Sequence, residues 1–276
     1  MNRPRPSLSA FAAALVTVAA LALAVALAAG CAGKPNVDRI IARCITARGG
    51  LDSLRAVSSK RLTGRVVFAG RDSGAFMVEM KRGGKMRQEM NLTSGSVITT
   101  LDGTRGWAIS SMRQQSEPDS LTAGQVRNMA GGADLDGPLV DWKSKGNLVE
   151  LLGVEKVLGR DAWKLKVTQA NGQMRLDYID CVTHLEVKWV GLVDQRSQQV
   201  TFESYFNDYR KVGGTWHAFR IDSDSPGSSQ LQTLIFDRID VNVPIDDADF
   251  GRPALAANGA APAHATHHAR ASAHQR

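Results

Sequence analysis

A chain of 276 residues, 43% hydrophobic and 22% charged, has the composition of a globular protein with sequence enough for a sizeable core, which excludes disorder for most of it. Its formal net charge of +7 would suit a polyanion partner if the excess lay in the folded part. It does not: Arg3, Arg5, Arg252, Arg270 and Arg276 sit in the terminal segments, and residues 31–250 keep 29 basic against 27 acidic side chains, a net of +2 that indicates no nucleic-acid partner.

Two arginines, an uncharged apolar run from Ala10 to Ala29 and the ending Ala28-Ala29-Gly30-Cys31 follow the basic, apolar, small-residue order of a secretory signal. The ending resembles the bacterial lipobox, although Ala28 stands where leucine is usual and Leu27 lies one place further back. That resemblance implies cleavage before Cys31 and a diacylglyceryl group on its sulfur. Each buried methylene contributes about 0.8 kcal/mol, so two or three acyl chains would hold the protein at a membrane where one would not. The alternative is an uncleaved membrane anchor, and both readings export the rest of the chain. Ala32, not aspartate, follows the cysteine, which by analogy with enteric bacteria points to the outer rather than the inner membrane, facing the periplasm. Of the remaining cysteines, Cys44 falls on an apolar helical stripe; Cys44 and Cys181 are either two small buried hydrophobes or a disulfide.

Residues 36–48 read as an amphipathic helix, because Val37, Ile40, Ile41, Cys44 and Ile45 recur on one face before Gly49-Gly50 ends it. From Arg61 the period changes to two. Leu62, Val66 and Phe68 alternate with polar positions, as do Phe76, Val78 and Met80, across a turn at residues 70–74. Further strands are expected at 85–92, 96–101, 106–110, 148–152, 162–168, 174–179, 185–193, 199–209, 215–222 and 229–239. About eleven or twelve half-buried strands form an antiparallel meander long enough to curl strongly or close. The pattern breaks between residues 117 and 146, where Leu121, Val126, Met129, Leu139, Val140 and Trp142 are spaced for one or two short helices around Gly131-Gly132. From Gly251 the sequence is rich in alanine, proline, histidine and arginine and reads as a disordered tail; its His264, His267, His268 and His274 belong to that low-complexity stretch.

No nucleophile elbow, phosphate loop, zinc-protease helix, CxxC pair or dinucleotide fingerprint is present, which argues against an enzyme and against a cofactor. His184 and His217 are too few and too far apart in sequence for a metal site, and the aspartates at 134/136, 222/224 and 246/247/249 lack calcium-loop spacing. What remains is a surplus of methionine and tryptophan, side chains suited to loosely specified apolar partners as well as to a core.

Five phrases carry a further resemblance: Ala47-Arg48-Gly49-Gly50-Leu51, the run from Asp102 to Trp107, the run from Gly137 to Trp142, Leu158-Gly159-Arg160-Asp161, and the run from Asn207 to Val212. In order and spacing they resemble the bacterial outer-membrane lipoprotein-sorting proteins of the LolA/LolB carrier and receptor superfamily. The resemblance spans most of residues 37–250. It implies a mainly β (α+β) fold, an incomplete β-barrel whose concave apolar face is covered by helices, and binding of lipid or lipoprotein acyl chains without chemistry. On that reading Leu62, Val66, Phe68, Phe76, Val78, Met80, Met86, Met90, Trp107 and Ile109 line the cavity. Ile41, Ile45, Val126, Met129, Leu139 and Trp142 belong to the lid, with Gly131-Gly132 as hinge. The implied organisation is a signal peptide at 1–30, a lipidated tether at 31–35, one domain at 36–250 and the tail at 251–276. The competing reading is an anchored envelope scaffold or stress sensor that binds a protein partner and carries no lipid.

Overall fold

The computed structural model describes residues 36–68, 72–195, 198–224 and 231–254. The expected signal segment, Cys31 and the histidine-rich tail beyond residue 254 lie outside these residues. In chain order the elements are α1 (Val37–Ala47), α2 (Leu51–Arg55), β1 (Ser59–Phe68), β2 (Ser73–Lys81), β3 (Lys85–Leu92), β4 (Gly95–Asp102), β5 (Gly106–Ser110) and β6 (Asp119–Ser120). There follow α3 (Ala123–Ala133), β7 (Leu148–Val157), β8 (Arg160–Thr168), β9 (Met174–Asp180), β10 (Glu186–Gln195), β11 (Gln198–Val212), β12 (Thr215–Asp224) and β13 (Gln232–Val241).

All 13 strands form one antiparallel sheet in the order β6-β5-β4-β3-β2-β1-β13-β12-β11-β10-β9-β8-β7. Neighbours in sequence are neighbours in space except at the centre, where β1 pairs β13, and at the two ends, where β6 and β7 are edges. The sheet is thus an incomplete barrel. The extra strand beyond the expected count is the two-residue β6, too short to show a period.

The alternation of side chains fixes one concave face. Across the ladders Leu62 faces Val78 and Ile239, Phe76 faces Met90, and Met86 faces both Met80 and Leu101. With Val66, Phe219 and Phe236 these residues form one buried cluster on which α3 lays Val126, Met129, Ala130 and Ala133. A second cluster lies under α1, where Ile40, Ile41 and Cys44 meet Leu139, Trp163, Leu165, Val167, Ile179 and Cys181. Burying each such Leu, Ile or Phe is worth about 1.5–3 kcal/mol, so these two patches hold the helices to the sheet. Cys44 is a free, buried thiol, so it forms no disulfide with Cys181; burial pushes its pKa up to about 12.

The convex face of β1–β5 is closed by the segment after β13. There Lys81 donates to the carbonyl of Ile245, Arg87 to that of Asp249 and Thr100 to that of Gly251, around a fully buried Phe250.

Helix caps are local. Asn36 accepts from the backbone N–H of Asp38 at 2.8 Å, and Thr122 and Gln125 form a reciprocal capping box at the start of α3. Expected around Gly131-Gly132 were one or two short helices. Only α3 forms, and both glycines lie inside its last turns, because no apolar period continues through Asp134-Leu135-Asp136-Gly137-Pro138.

Beyond α1 the chain turns at Gly49, whose φ of +122° is open only to glycine at low cost, and whose missing Cβ would stand 2.4 Å from the carbonyl oxygen of Gly214. The contact is sealed by the Trp216 N–H donating to the Arg48 carbonyl at 3.0 Å. Gly49→Ala therefore breaks the seat of α1 on the β11–β12 turn. A loss of about 1–3 kcal/mol is expected in denaturant unfolding, with Arg48 displaced from the position described next.

Candidate functional site

Between the two apolar patches the concave face is not filled. A crevice of about 350 Å³ runs under residues 131–139, bounded by Leu62, Met80, Phe206, Ile221, Phe236 and Ile239 on the sheet and by Cys44 and Leu139 from the helical side. A second, of about 520 Å³, lies on the other flank of α3, against Met86, Val97, Ala108 and Leu121. Gly132 borders both, since a residue without a side chain leaves the two spaces separated by little more than backbone. Its missing Cβ would stand 3.7 Å from the Met86 Cε.

The expected lining residues divide into three groups. Leu62 and Met80 border the first crevice and Met86 the second. Val66, Phe68, Phe76, Val78 and Met90 share the concave face but are packed together under α3, so they form its floor and not open wall. Trp107 and Ile109 need correction. They pair with Thr100 and Ile98, whereas β4 presents Val97, Thr99 and Leu101 inward, so the period of two turns Trp107 and Ile109 to the convex side. Ile109 still touches the rim of the second crevice. Of the lid residues, Val126 and Met129 cover the β1–β3 and β12–β13 patch, while Ile41, Ile45, Leu139 and Trp142 cover β7–β9.

The crevice wall is also charged, which the search for apolar periodicity missed. Lys60 lies at the start of β1 and Arg48 caps α1, positions where a basic side chain is ordinarily solvated, yet both point under the lid. Arg48 Nη1 donates to the Asp136 carbonyl at 2.8 Å and Lys60 Nζ to the Leu135 carbonyl at 3.1 Å. Arg82 holds the Asp136 carboxylate through both nitrogens, and Lys145 pairs with Asp134 at 2.6 Å. The stretch 134–137 is thus clipped by polar contacts while its flanks are held by apolar ones. Opposite, Arg175 pairs with Asp177 and Glu186, and the Tyr209 hydroxyl donates to the Glu186 carbonyl at 2.8 Å. Burial pushes the Glu186 carboxyl up, with Arg175 pulling the other way. For Lys60, burial and then the nearby Arg48 lower the pKa to about 8, against the opposing pull of Asp136 and Asp134. Burial, Lys60 and Arg48 together lower His217 to about 3, so its ring is neutral, within 2.7 Å of the Thr215 hydroxyl. Among the described residues no group of three or more His, Cys, Asp or Glu side chains is assembled to hold a metal ion. Nor is any described helix long and apolar enough to cross a membrane.

A curved, open antiparallel sheet with a helical cover over a concave crevice is a fold that this chain has in common with other solved structures. Three solved structures share it: a DUF1329 family protein from Desulfovibrio piger (TM-score 0.54, 12% identity, 79% of this chain and 98% of that one), a LolA superfamily protein from Nitrosomonas europaea (TM-score 0.52, 14% identity, 79% and 99%), and a putative outer membrane lipoprotein-sorting protein domain from Vibrio parahaemolyticus (TM-score 0.53, 11% identity, 78% and 97%). No protein-family model matches the sequence, and no curated protein matches it.

The depressed pKa of Lys60 carries a stability consequence. Below about pH 8 its ammonium is charged in both folded and unfolded chains, and the fold bears the full cost of burying it among Arg48, Arg82, Asp134 and Asp136. That cost is relieved as pH rises from about 8 toward the ordinary lysine value. Lys60→Met is expected to raise stability at neutral pH by on the order of 1–3 kcal/mol. The gain should shrink as urea unfolding is repeated at rising alkaline pH, and a gain independent of pH would contradict the assignment.

Proposed function

We propose that this chain is an exported, lipid-anchored envelope protein that binds the acyl chains of lipids or lipoproteins beneath its lid and performs no chemistry. Residues 1–30 act as signal peptide, Cys31 carries the anchor, residues 36–250 form the binding domain and 251–276 remain a tail. The protein faces the periplasm, at the outer rather than the inner membrane. The observation that carries this reading is the unfilled crevice, apolar along Leu62, Met80, Phe236 and Ile239, under a segment held partly by polar clips. About 25 cal/mol is gained for each Å² of acyl surface moved there from water. A volume of 350 Å³ is at the low end for a ligand site, so a two-chain lipid enters only when the cover moves.

Mass spectrometry of the full chain tests anchor and cargo together. Mass that persists after denaturation and maps to Cys31 is covalent lipid; mass retained only under native conditions is cargo. The expected result is both, with Met129→Asp losing the second and keeping the first. A native mass equal to the denatured mass, with an interior closed to apolar probes, would favour the second reading, a scaffold for a protein partner. One observation supports that alternative: the unpaired edge strand β7 exposes Leu148, Leu152 and Val154.

Gly131 and Gly132 serve as the flexible part of the cover. A Cβ at either would meet only side-chain atoms at ordinary contact distances of 3.7–3.9 Å, and each alanine favours the helix by about 1 kcal/mol. The double change to alanine should therefore raise the melting temperature and slow transfer of a fluorescent acyl probe to vesicles. Faster or unchanged transfer in the stabilised variant would place the hinge elsewhere.

A further inference from the structure

Resting on the lipid-binding reading, we infer that the crevice is built for an amphiphile with an anionic head, carboxylate or phosphate, seated at Lys60 and Arg48 with its hydrocarbon tail along Leu62, Met80, Phe236 and Ile239.

The argument begins with which charges already have partners. Facing or adjoining the crevice, Asp136 is held by Arg82, Asp134 by Lys145, and Asp177 and Glu186 by Arg175. Lys60 and Arg48 alone among these groups have no carboxylate. Each is satisfied by one backbone carbonyl of the lid, those of Leu135 and Asp136, although Arg48 lies near enough to Glu186 to favour its ionised form. A carbonyl offers an ammonium or guanidinium a partial charge where an anion offers a full one, so both cations are under-compensated. A third group of the same wall, His217, is held neutral by burial and by these same two side chains. All three belong to the wall of one crevice whose other charged side chains, Asp134, Arg175, Asp177 and Glu186, are already paired and whose uncharged lining is mostly apolar.

The placement also links head recognition to the lid. The two carbonyls that now occupy the cations are those of the covering segment, so an arriving anion replaces them and releases two of its clips. Entry of the head and loosening of the cover are then one exchange of hydrogen-bond acceptors. A neutral lipid would leave the clips in place.

The test compares dodecanoate, dodecyl phosphate and dodecanol, titrated into the full chain and followed by fluorescence of Trp189 and Trp216, which border the crevice. Inorganic phosphate is titrated alone and as a competitor. Both anionic amphiphiles should bind about ten- to a hundredfold more tightly than the alcohol, and inorganic phosphate should neither bind nor displace them. Lys60→Met should bring the ratio close to one and Lys60→Arg should keep it. Equal binding of acid and alcohol by the unaltered protein would overturn the anionic head while leaving the carrier intact. Binding of none of the three would overturn the carrier reading and this inference with it. Displacement by inorganic phosphate would make the site one for a small anion. Loss of alcohol and acid binding in equal proportion in Lys60→Met would make Lys60 a structural clip and not a head-group ligand.

Discussion

One connection shapes the rest of the molecule. β6 and β7 are consecutive in sequence but stand at opposite ends of a 13-strand sheet, so residues 121–147 must cross the open side of the barrel. A chain forced over a concave apolar surface either buries apolar residues there or leaves that surface wet. It buries them twice: Val126, Met129 and Ala133 on the β1–β3 and β12–β13 side, Leu139 and Trp142 on the β7–β9 side. Between these footings lies Asp134-Leu135-Asp136-Gly137, too polar to continue either patch, and beneath it the crevice persists.

The two kinds of attachment differ in strength. Several large apolar side chains at each footing contribute about 1.5–3 kcal/mol apiece. The clips are fewer: a hydrogen bond from a charged donor to a carbonyl reaches about 1.5–3 kcal/mol only when well buried, and the Arg82–Asp136 pair, whose guanidinium is 40% exposed, contributes on the order of 1 kcal/mol after screening by solvent. Cations that remain under-compensated subtract from the total. The middle of the cover is therefore its weak link, and the last turns of α3 with two adjacent glycines are where the loosening propagates.

How much of this was legible in the sequence depends on which residues carried a period. The alternation of Trp163, Leu165 and Val167 with Lys164 and Lys166 marks in the sequence both the strand at 162–168 and its buried side, and the Ile40/Ile41/Cys44 stripe marks the helix that covers them. Val126 and Met129 could be assigned to a cover because the strand pattern stops there. Trp107 was placed in the lining by the resemblance, which does not determine register: the pairing of β4 with β5 turns it outward. Thr122 and Gln125 held a readable capping-box signature that fixes the start of α3. Arg48 and Lys60 had no local signal. A basic residue at an element end is ordinarily solvated, and only the long-range crossing of 134–137 encloses these two. A non-local contact of that kind has no period to read.

The open seam follows from the same edges. β6 is two residues long, and β7 breaks its register at Gly153 with a φ of +135°. Short and bulged strands are poor templates for pairing, so the sheet does not complete its circle even though the two edges are consecutive in the chain. Sealing them would satisfy more backbone groups but would leave residues 121–147 no path across the mouth, and the cover would become an external loop over a closed, side-chain-filled barrel. Irregular edges thus preserve what the interior needs: a wide concave face, a chain segment obliged to span it, and two cations whose present acceptors belong to that segment.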